Sequence, residues 1–381
     1  MGFESMTRKR PGPDAVAMTN GERRVRLLDR ARVYACGLTP YDVTHLGHAA
    51  TFVWVDTLTR VLRVLGVEPI LCRNVTDIDD VLLEASQRAG TAYEGFAAYQ
   101  EFRFEGDMAA LGVRVPDFEP RAHSYVGAVV RLASALLETG HAYSAGGGVY
   151  FRGAHVAARA GLAHGEALRL ARRYGGRPDD PAKEDPLDVA VWQRAEPGHP
   201  AWDSPWGPGR PGWHAECVAM SASVFGVGVD VHAGGADLRF PHHAYHAAMT
   251  EALSGVTPYA RAWLHVGTVT VDGVKMAKST GNLVLLKDLL ARYPAPVIRL
   301  AIIDRAWNRS WDYTPEVVDH AAVRLEQLHR ASGRPHEASE AERERLRALL
   351  AANLDVPAAL DTAIEAGGQA ARLLTAALGL S

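Results

Sequence analysis

Two apolar strand patterns, each followed by a helical pattern, constrain the fold of this chain more than any other feature. RVYACG (32–37) and EPILCRNV (68–75) have the composition of short buried strands. After the first, apolar residues recur at the spacing of one helix face and end at a glycine: Phe52, Val55, Leu58, Leu62, Leu65 and Gly66. After the second, DIDDVLLEASQRAG (77–90) predicts a helix with acidic residues in its first turn. This alternation is typical of an α/β protein with a parallel sheet.

The remaining patterns extend this core in both directions. We expect mostly helix over 93–140, a hairpin over 141–151, strands in VGVDVHAGG and WLHVGTVTVDG, and a helix from about His242. The segment 173–211 is rich in Pro, Gly, Asp and Trp without periodicity, which is typical of a site or a lid. Three further helices are predicted at 315–332, 337–352 and 356–376. The predicted units are an N-terminal arm (1–30), a catalytic domain (31–310) and a C-terminal helical domain (311–381).

Composition excludes several classes of protein. The longest apolar runs fall short of the ~18 residues that a membrane helix needs, and the first residues lack the apolar core of a signal peptide, so we expect a cytoplasmic protein without membrane contacts. The net charge of −3 offers no overall basic field for nucleic acid. Only three cysteines are present, which argues against a disulfide framework and leaves metal binding or catalysis open.

Two histidines open the first predicted helix, directly after the first strand. His45 and His48 flank Leu46-Gly47 in YDVTHLGHAAT (41–51). A helix N-terminus offers unpaired N–H groups and the positive end of the helix dipole, so it suits an anion. Gly47 would let a nucleotide approach the backbone closely. Taken alone, such a histidine pair is equally compatible with a structural role.

A lysine-bearing loop, DGVKMAKSTGN (272–282), follows one of the last predicted strands. Lys275 and Lys278 are three residues apart between glycines, an arrangement that suits a clamp on a polyphosphate. By itself, such a loop is more often a solvated turn. In this order, however, HLGH and KMAKS resemble the two signatures of class I aminoacyl-tRNA synthetases.

More specific motifs lie around and between these two signatures. They are YACGLTPYDVTHLGH, RNVTDIDD, WDSPWGPGRPGWHAEC and GGADLRFPHH. Together they resemble the cysteinyl-tRNA synthetase family over about residues 32–310. The resemblance implies a Rossmann-type class I catalytic domain, here followed by a small helical bundle. It also implies an activity that joins cysteine to AMP, with ATP and Mg²⁺ as the energy source.

The resemblance further implies a zinc ion at the floor of the amino-acid pocket, with Cys36, Cys217 and His242 at the matching ligand positions. Zinc favours thiolate and imidazole, and a catalytic zinc keeps one coordination position open. The thiolate of the substrate would take that position, which a serine hydroxyl cannot match at a thiolate-seeking metal. Cys72 lies inside an apolar strand and is expected to be a core residue.

One ligand position departs from the family pattern, because a glutamate is usual four residues after His242 and this chain has His246. Residues i and i+4 share a helix face, so both histidines can in principle reach one metal. A Cys2His2 set is typical of closed structural sites, whereas a catalytic site stays open. We therefore expect His246 to lie outside the coordination sphere. His243 is assigned either packing or nucleotide contact.

The same matching implies roles for the remaining site residues. Those implied for the ammonium and side chain of cysteine are Thr76, Trp213 and Asp237. Those implied beside the nucleotide are Gly47, Gly234, Gly235, Lys275 and Lys278. His45 and His48 would stabilise the α-phosphate, and the two lysines would neutralise the departing pyrophosphate. Ala277 replaces the usual serine of the loop, so we expect altered loop contacts and retained activity. No clear role follows for His214.

Motifs and the composition of the C-terminal region indicate which molecule accepts the cysteine. TPYDVTHLGHAAT, KSTGNLV and IRLAII…WDYTPE are most similar to the branch of the family that joins cysteine to the amine of glucosaminyl-inositol in mycothiol biosynthesis. Residues 321–381 hold seven Lys/Arg against eight Asp/Glu, and the region after KMAKS is shorter than in cysteinyl-tRNA synthetases, so tRNA is disfavoured. We expect a monomer acting on L-cysteine, ATP and an amino-sugar acceptor. A shortened tRNA synthetase, or a non-catalytic relative that binds zinc, nucleotide or a partner, stays open.

Overall fold

The computed structural model describes residues 16–20, 23–41, 43–277 and 280–381; Lys278 therefore lies outside the described residues. The strands are β1 (Val16–Asn20), β2 (Arg23–Leu27), β3 (Arg30–Leu38), β4 (Glu68–Val75), β5 (Ala142–Ala145), β6 (Gly148–Phe151), β7 (Val189–Arg194), β8 (Gly209–Pro211), β9 (Val229–Gly235), β10 (Ala260–Val266), β11 (Val269–Val271), β12 (Val274–Lys275) and β13 (Trp311–Asp312).

The α-helices cover the sheet and form the C-terminal region. They are α1 (Leu46–Val64), α2 (Asp80–Ala89), α3 (Tyr93–Ala110), α4 (Val126–Glu138), α5 (Val156–Arg159), α6 (His164–Arg173), α7 (Trp213–Phe225), α8 (Ala244–Ser254), α9 (Leu286–Leu290), α10 (Ala295–Ile303), α11 (Pro315–Ser332), α12 (Glu340–Ala351), α13 (Val356–Ala366) and α14 (Gly368–Leu378). None of the helices in the described part of the chain is long and apolar enough to cross a membrane.

The central sheet is parallel, with strand order β10-β9-β3-β4, which confirms the predicted α/β fold. β3 lies between its two partners, with Tyr34 opposite His232 of β9 and Cys72 of β4. Because parallel strands run in one direction, their carboxyl ends meet at one edge. Ligands of open α/β sheets bind at that edge, and the predicted motifs follow β3, β4 and β9 there.

Helix α1 follows β3 and buries its apolar face. Trp54, Leu58 and Leu62 are almost completely buried in the core. The helix ends at Val64, and Gly66 has a φ of 83°, a conformation that favours glycine. The sequence prediction of this helix and of its stop is therefore confirmed.

Three sequence-based boundaries need correction. The segment 173–211 contains β7 and β8, which extend the β5–β6 hairpin into a four-stranded antiparallel sheet. Short strands among Pro and Gly have no detectable period, and their partners lie elsewhere in the chain. Helix α8 begins at Ala244 rather than His242, after an irregular turn in which Phe240 is extended before Pro241. The last predicted helix is two helices: α13 ends before Gly367, whose φ is 71°, and α14 begins at Gly368, whose φ is 51°.

The C-terminal helices share a hydrophobic core with α1 and the central sheet. A buried ion pair accompanies this packing, because Arg299 of α10 contacts Asp56 of α1 and donates a 2.6 Å hydrogen bond to the carbonyl of Leu378. Helix α1, which begins at the HLGH motif, is thus fixed to the C-terminal region. The domain limits at residues 30 and 310 stay predictions.

Candidate active site and metal centre

Cys36, Cys217 and His242 converge below the carboxyl edge of the sheet. Cys36 comes from the end of β3, Cys217 from α7 and His242 from the turn before α8. One ligand atom from each lies within 4.8 Å of the other two, and the residues are 5%, 1% and 1% exposed. His242 Nε2 lies 3.3 Å from Cys217 Sγ. The structure thus brings together the three predicted ligands, drawn from distant parts of the sequence, in a set that can hold a metal ion.

Burial sets the protonation states of this group. Burial, followed by the neighbouring Cys217, raises the pKa of the Cys36 thiol well above its usual value. Burial also lowers the pKa of His242 well below its usual value, so its imidazole is neutral at pH 7. A neutral imidazole can coordinate a metal directly, whereas a thiol must release its proton when it binds a metal. The group is therefore compatible with a cation and poorly suited to holding two thiolates alone.

Two aromatic residues at the start of α7 fix the ring of His242. His214 Nδ1 lies 2.9 Å from His242 Nδ1, on the side of the ring opposite to Cys217. The indole of Trp213 stacks on the same imidazole, with ring centroids 4.3 Å apart. A histidine that binds a metal usually has its second nitrogen held in this way. The sequence left His214 without a role because its contact depends on the packing of α7 against the turn before α8.

A second histidine that sequence analysis missed lies on the other side of Cys36. His232 Nε2 is 3.3 Å from Cys36 Sγ, and Cys36, His232 and His243 form another set whose ligand atoms lie within 4.8 Å. The register of the central sheet explains this contact. His232 is paired with Tyr34, and Tyr34 and Cys36 lie on the same face of β3. His243 Nδ1 in turn lies 2.9 Å from His265 Nε2.

His246 lies behind these ligands and belongs to neither set. Its ring stacks on Tyr259 at 4.7 Å and meets the edge of Tyr34 at 5.5 Å. It is completely buried, and neither ring nitrogen has a hydrogen-bond partner among the described residues. Burial lowers its pKa to about 3. The expectation that His246 stays outside the coordination sphere agrees with this placement and remains a prediction.

The two HLGH histidines lie together at the start of α1. Their rings stack with centroids 3.8 Å apart. His45 is the N-cap, because its Nδ1 accepts a 3.1 Å hydrogen bond from the N–H of Gly47. Since Nδ1 is an acceptor, the neutral ring carries its proton on Nε2. A Cβ atom at Gly47 would lie only 2.9 Å from the ring of His45, which gives this glycine a local packing reason.

Lys275 and Asp237 meet beside the turn that follows β9. Asp237 belongs to the short turn Ala236–Leu238 after β9, and Lys275 ends β12. Lys275 Nζ lies 2.5 Å from Asp237 Oδ2, and the two side chains are 39% and 32% exposed. A Cβ atom at Gly235 would lie 2.4 Å from Asp237 Oδ1, so a larger residue there would displace this carboxylate. Gly234 faces the ring of His243 in the same way.

Asn74 links the predicted amino-acid contact Thr76 to β3, the strand that carries Cys36. Asn74 Nδ2 donates a 3.1 Å hydrogen bond to Thr76 Oγ1, and Asn74 Oδ1 accepts a 3.0 Å hydrogen bond from the N–H of Gly37. Both side chains are buried. Thr76 is therefore held beside the residue that follows Cys36. No sequence signal singled out Asn74.

The fold is that of the class I aminoacyl-tRNA synthetases. The methionyl-tRNA synthetase of Mycobacterium tuberculosis in complex with methionyl-adenylate superposes with a TM-score of 0.63 at 17% identity, over 92% of this chain and 82% of that chain. The agnB2 LeuRS of Agrobacterium radiobacter K84 superposes with a TM-score of 0.60 at 11% identity, over 92% and 83% of the two chains. At these identities, the likeness concerns the fold alone.

Sequence comparison narrows the class to one family. Residues 25–323 match the family model described as the tRNA synthetases class I (C) catalytic domain. The chain is 41% identical over 371 residues to an L-cysteine:1D-myo-inositol 2-amino-2-deoxy-alpha-D-glucopyranoside ligase of Parafrankia sp. (strain EAN1pec), over 94% of this chain and 83% of that relative. It is 40% identical over 305 residues to a cysteine–tRNA ligase of Rhodospirillum centenum, over 78% and 65% of the two chains. The chain belongs to the class I cysteinyl-tRNA synthetase family, whose members named here are ligases.

Proposed function

We propose that this chain is an ATP-dependent cysteine ligase that forms cysteinyl-adenylate and transfers the cysteine to the amine of glucosaminyl-inositol or a related small acceptor. The observation that carries the proposal is the buried set of Cys36, Cys217 and His242 in a chain of this family. Two sulfurs and one imidazole leave a tetrahedral metal one ligand short. A thiol substrate supplies the missing kind of ligand.

Zinc is the metal that this donor set fits, because it favours thiolate and imidazole ligands in tetrahedral geometry. Cys36, Cys217 and His242 would hold it, with His214 behind the imidazole and His246 outside the coordination sphere. When bound, zinc would offer its remaining position to the thiolate of cysteine and so distinguish cysteine from serine. A hydroxyl is a much poorer ligand for a metal with this preference for sulfur.

Positioning and neutralisation of charge suffice for the first step. A carboxylate oxygen of cysteine attacks the α-phosphorus of MgATP, the bond to the β-phosphate oxygen breaks, and pyrophosphate leaves. His45 and His48 would donate hydrogen bonds to the α-phosphate. Lys275 and Lys278 would neutralise the pyrophosphate, and Thr76, Trp213 and Asp237 would hold the amino acid.

The second step forms an amide. The neutral amine of the acceptor attacks the carbonyl carbon of the adenylate, and the bond from that carbon to the phosphate oxygen breaks. AMP leaves with the electron pair, and the amine nitrogen loses a proton to solvent or a nearby base. The same adenylate would serve an acceptor hydroxyl of tRNA, so the acceptor is a separate question from the activation.

Similarity outside the catalytic core favours the small acceptor. The match to the Parafrankia ligase spans 94% of this chain, so it reaches into the C-terminal helices, whereas the match to the Rhodospirillum cysteine–tRNA ligase spans 78%. Seven Lys/Arg against eight Asp/Glu in residues 321–381 give no cationic surface for a phosphate backbone. Action as a monomer also remains part of this proposal.

Labelled cysteine tests the proposal in two stages. Purified, zinc-loaded protein should catalyse cysteine-dependent exchange of pyrophosphate into ATP, and serine should not replace cysteine. Adding glucosaminyl-inositol should then transfer the label to the amino sugar, whereas tRNA should remain unlabelled. Labelled tRNA would establish the tRNA synthetase alternative. Absence of exchange with fully loaded protein would favour a non-catalytic relative.

A further inference from the structure

The ion pair between Lys275 and Asp237 joins two parts of the site that serve different substrates. Lys275 belongs to the KMAKS loop and is assigned to pyrophosphate, whereas Asp237 is assigned to the ammonium of cysteine. Yet Lys275 Nζ lies 2.5 Å from Asp237 Oδ2, and the ring of Tyr174 lies 6.0 Å from the same ammonium. In this state, Lys275 is directed towards the amino-acid side.

The carboxylate of Asp237 can pair with either of two groups of the same chemical kind. The α-ammonium of an amino acid and the side-chain ammonium of lysine are both compact cations that donate three hydrogen bonds. A Cβ atom at Gly235 would lie 2.4 Å from Asp237 Oδ1, and Lys275 contacts the other oxygen, Oδ2. Two ammonium groups on that oxygen would repel each other. Arrival of one therefore favours departure of the other.

We infer that the Lys275–Asp237 pair is a lock that the α-ammonium of the incoming amino acid opens. The ammonium replaces Lys275 at Asp237, and the released lysine turns to the phosphates of ATP. This inference rests on the proposed function and extends it to substrate selection. A thiol acid without an amino group, such as 3-mercaptopropionate, offers the same sulfur and carboxylate but leaves Lys275 paired. The α-amino group thus becomes a condition for activation and not only for binding.

The lock couples the two binding sites. If cysteine strengthens ATP binding by a given factor, ATP must strengthen cysteine binding by the same factor. Ion pairs as exposed as this one are weak, so the coupling from release of Lys275 is expected to be about two- to five-fold. A weak lock is sufficient, because it biases the position of one lysine without blocking the site.

The first experiment compares two ligands that differ only in the α-ammonium. The affinity of zinc-loaded protein for the ATP analogue AMPCPP, with Mg²⁺, is measured by calorimetry alone, with cysteine and with 3-mercaptopropionate. Cysteine should tighten AMPCPP binding by about two- to five-fold, and 3-mercaptopropionate should not. Equal tightening by both ligands would overturn the inference.

The second experiment removes the lock in the absence of any amino acid. Asp237→Asn should tighten AMPCPP binding by about two- to five-fold because Lys275 is released. If Asp237 only receives the substrate ammonium, the amino-acid-free affinity would not change. Thr76→Val is the matched control in the amino-acid site: it should weaken cysteine binding and leave the amino-acid-free affinity for AMPCPP unchanged.

A double variant separates release of the lysine from simple loss of a negative charge near the phosphates. In a Lys275→Met background, Asp237→Asn should no longer tighten AMPCPP binding. Persistence of the tightening there would overturn the inference, as would its absence in the single variant. Circular dichroism of each variant checks folding. Failure of the proposed function has a different readout, because the wild-type protein would then show no cysteine-dependent pyrophosphate exchange.

Discussion

The cysteine–histidine set (Cys36, Cys217 and His242) and the Lys275–Asp237 pair are built on opposite principles. Cys36, Cys217 and His242 are almost fully buried and surrounded by stacked rings, whereas Lys275 and Asp237 are 39% and 32% exposed and held by one ion pair. A buried set keeps its geometry without a ligand, because each member is fixed by packing. A half-exposed ion pair exchanges partners easily. The cysteine–histidine set is thus rigid, whereas the Lys275–Asp237 pair is adjustable.

The largest effect should follow loss of a metal ligand. Cys217→Ala should reduce bound zinc to a small fraction of one equivalent and lower pyrophosphate exchange by more than about 100-fold, since even residues behind a ligand are worth ~10- to 100-fold. Metal analysis and exchange rates measure this. Cys72→Ala is the control, because Cys72 is equally buried but belongs to neither metal-binding set. Equal zinc loss in both variants would show that the effect is general unfolding.

An intermediate effect should follow removal of the group behind His242. His214→Ala leaves all three ligands but frees the ring that His214 contacts at 2.9 Å. We expect zinc affinity to fall by about 10- to 100-fold in competition with a chelator, with near-full activity when zinc is saturating. Unchanged affinity would mean that stacking on Trp213 alone orients His242.

The buried His246, which lies behind the cysteine–histidine set, should make the stability of the protein depend on pH. Its pKa is about 3 in the folded protein and about 6.5 when unfolded, so the unfolded chain binds more protons between these values. Its contribution to stability is therefore complete above pH 6.5 and is lost as the pH falls, by up to about 1.4 kcal/mol per pH unit. His246→Leu should make the free energy of unfolding less sensitive to acid between pH 6 and 4.

The same variant distinguishes packing from coordination. Denaturant unfolding of the wild type and His246→Leu at each pH isolates the contribution of this residue. At pH 7 the variant should be at least as stable as the wild type, because neither nitrogen of His246 has a partner among the described residues. Zinc content should not change. Loss of zinc would identify His246 as a ligand after all.

Sequence patterns predicted the parts of this site that depend on local order. Short-range periodicity and glycines predict the strand that contains Cys36, helix α1 after His45 and the strand that ends in Gly235. The contacts of His214 and His232 depend on packing and register between distant segments, which no local pattern encodes. The sequence did not predict strands β7 and β8 for the same reason. The motifs do not predict the Lys275–Asp237 pair, because they imply a different substrate for each residue.

The smallest effect should come from the KMAKS loop, at Ala277. The N–H of Ala277 donates a 3.0 Å hydrogen bond to Asn282 Oδ1, and its carbonyl accepts one of 2.9 Å from Thr280. These backbone contacts do not depend on the side chain, so Ala277→Ser should preserve the described loop geometry. One added hydrogen bond between neutral groups is typically worth about 1 kcal/mol. Pyrophosphate exchange should therefore change by less than about five-fold. A larger gain would mean that this loop, like the cysteine–histidine set, depends on a fixed directional contact.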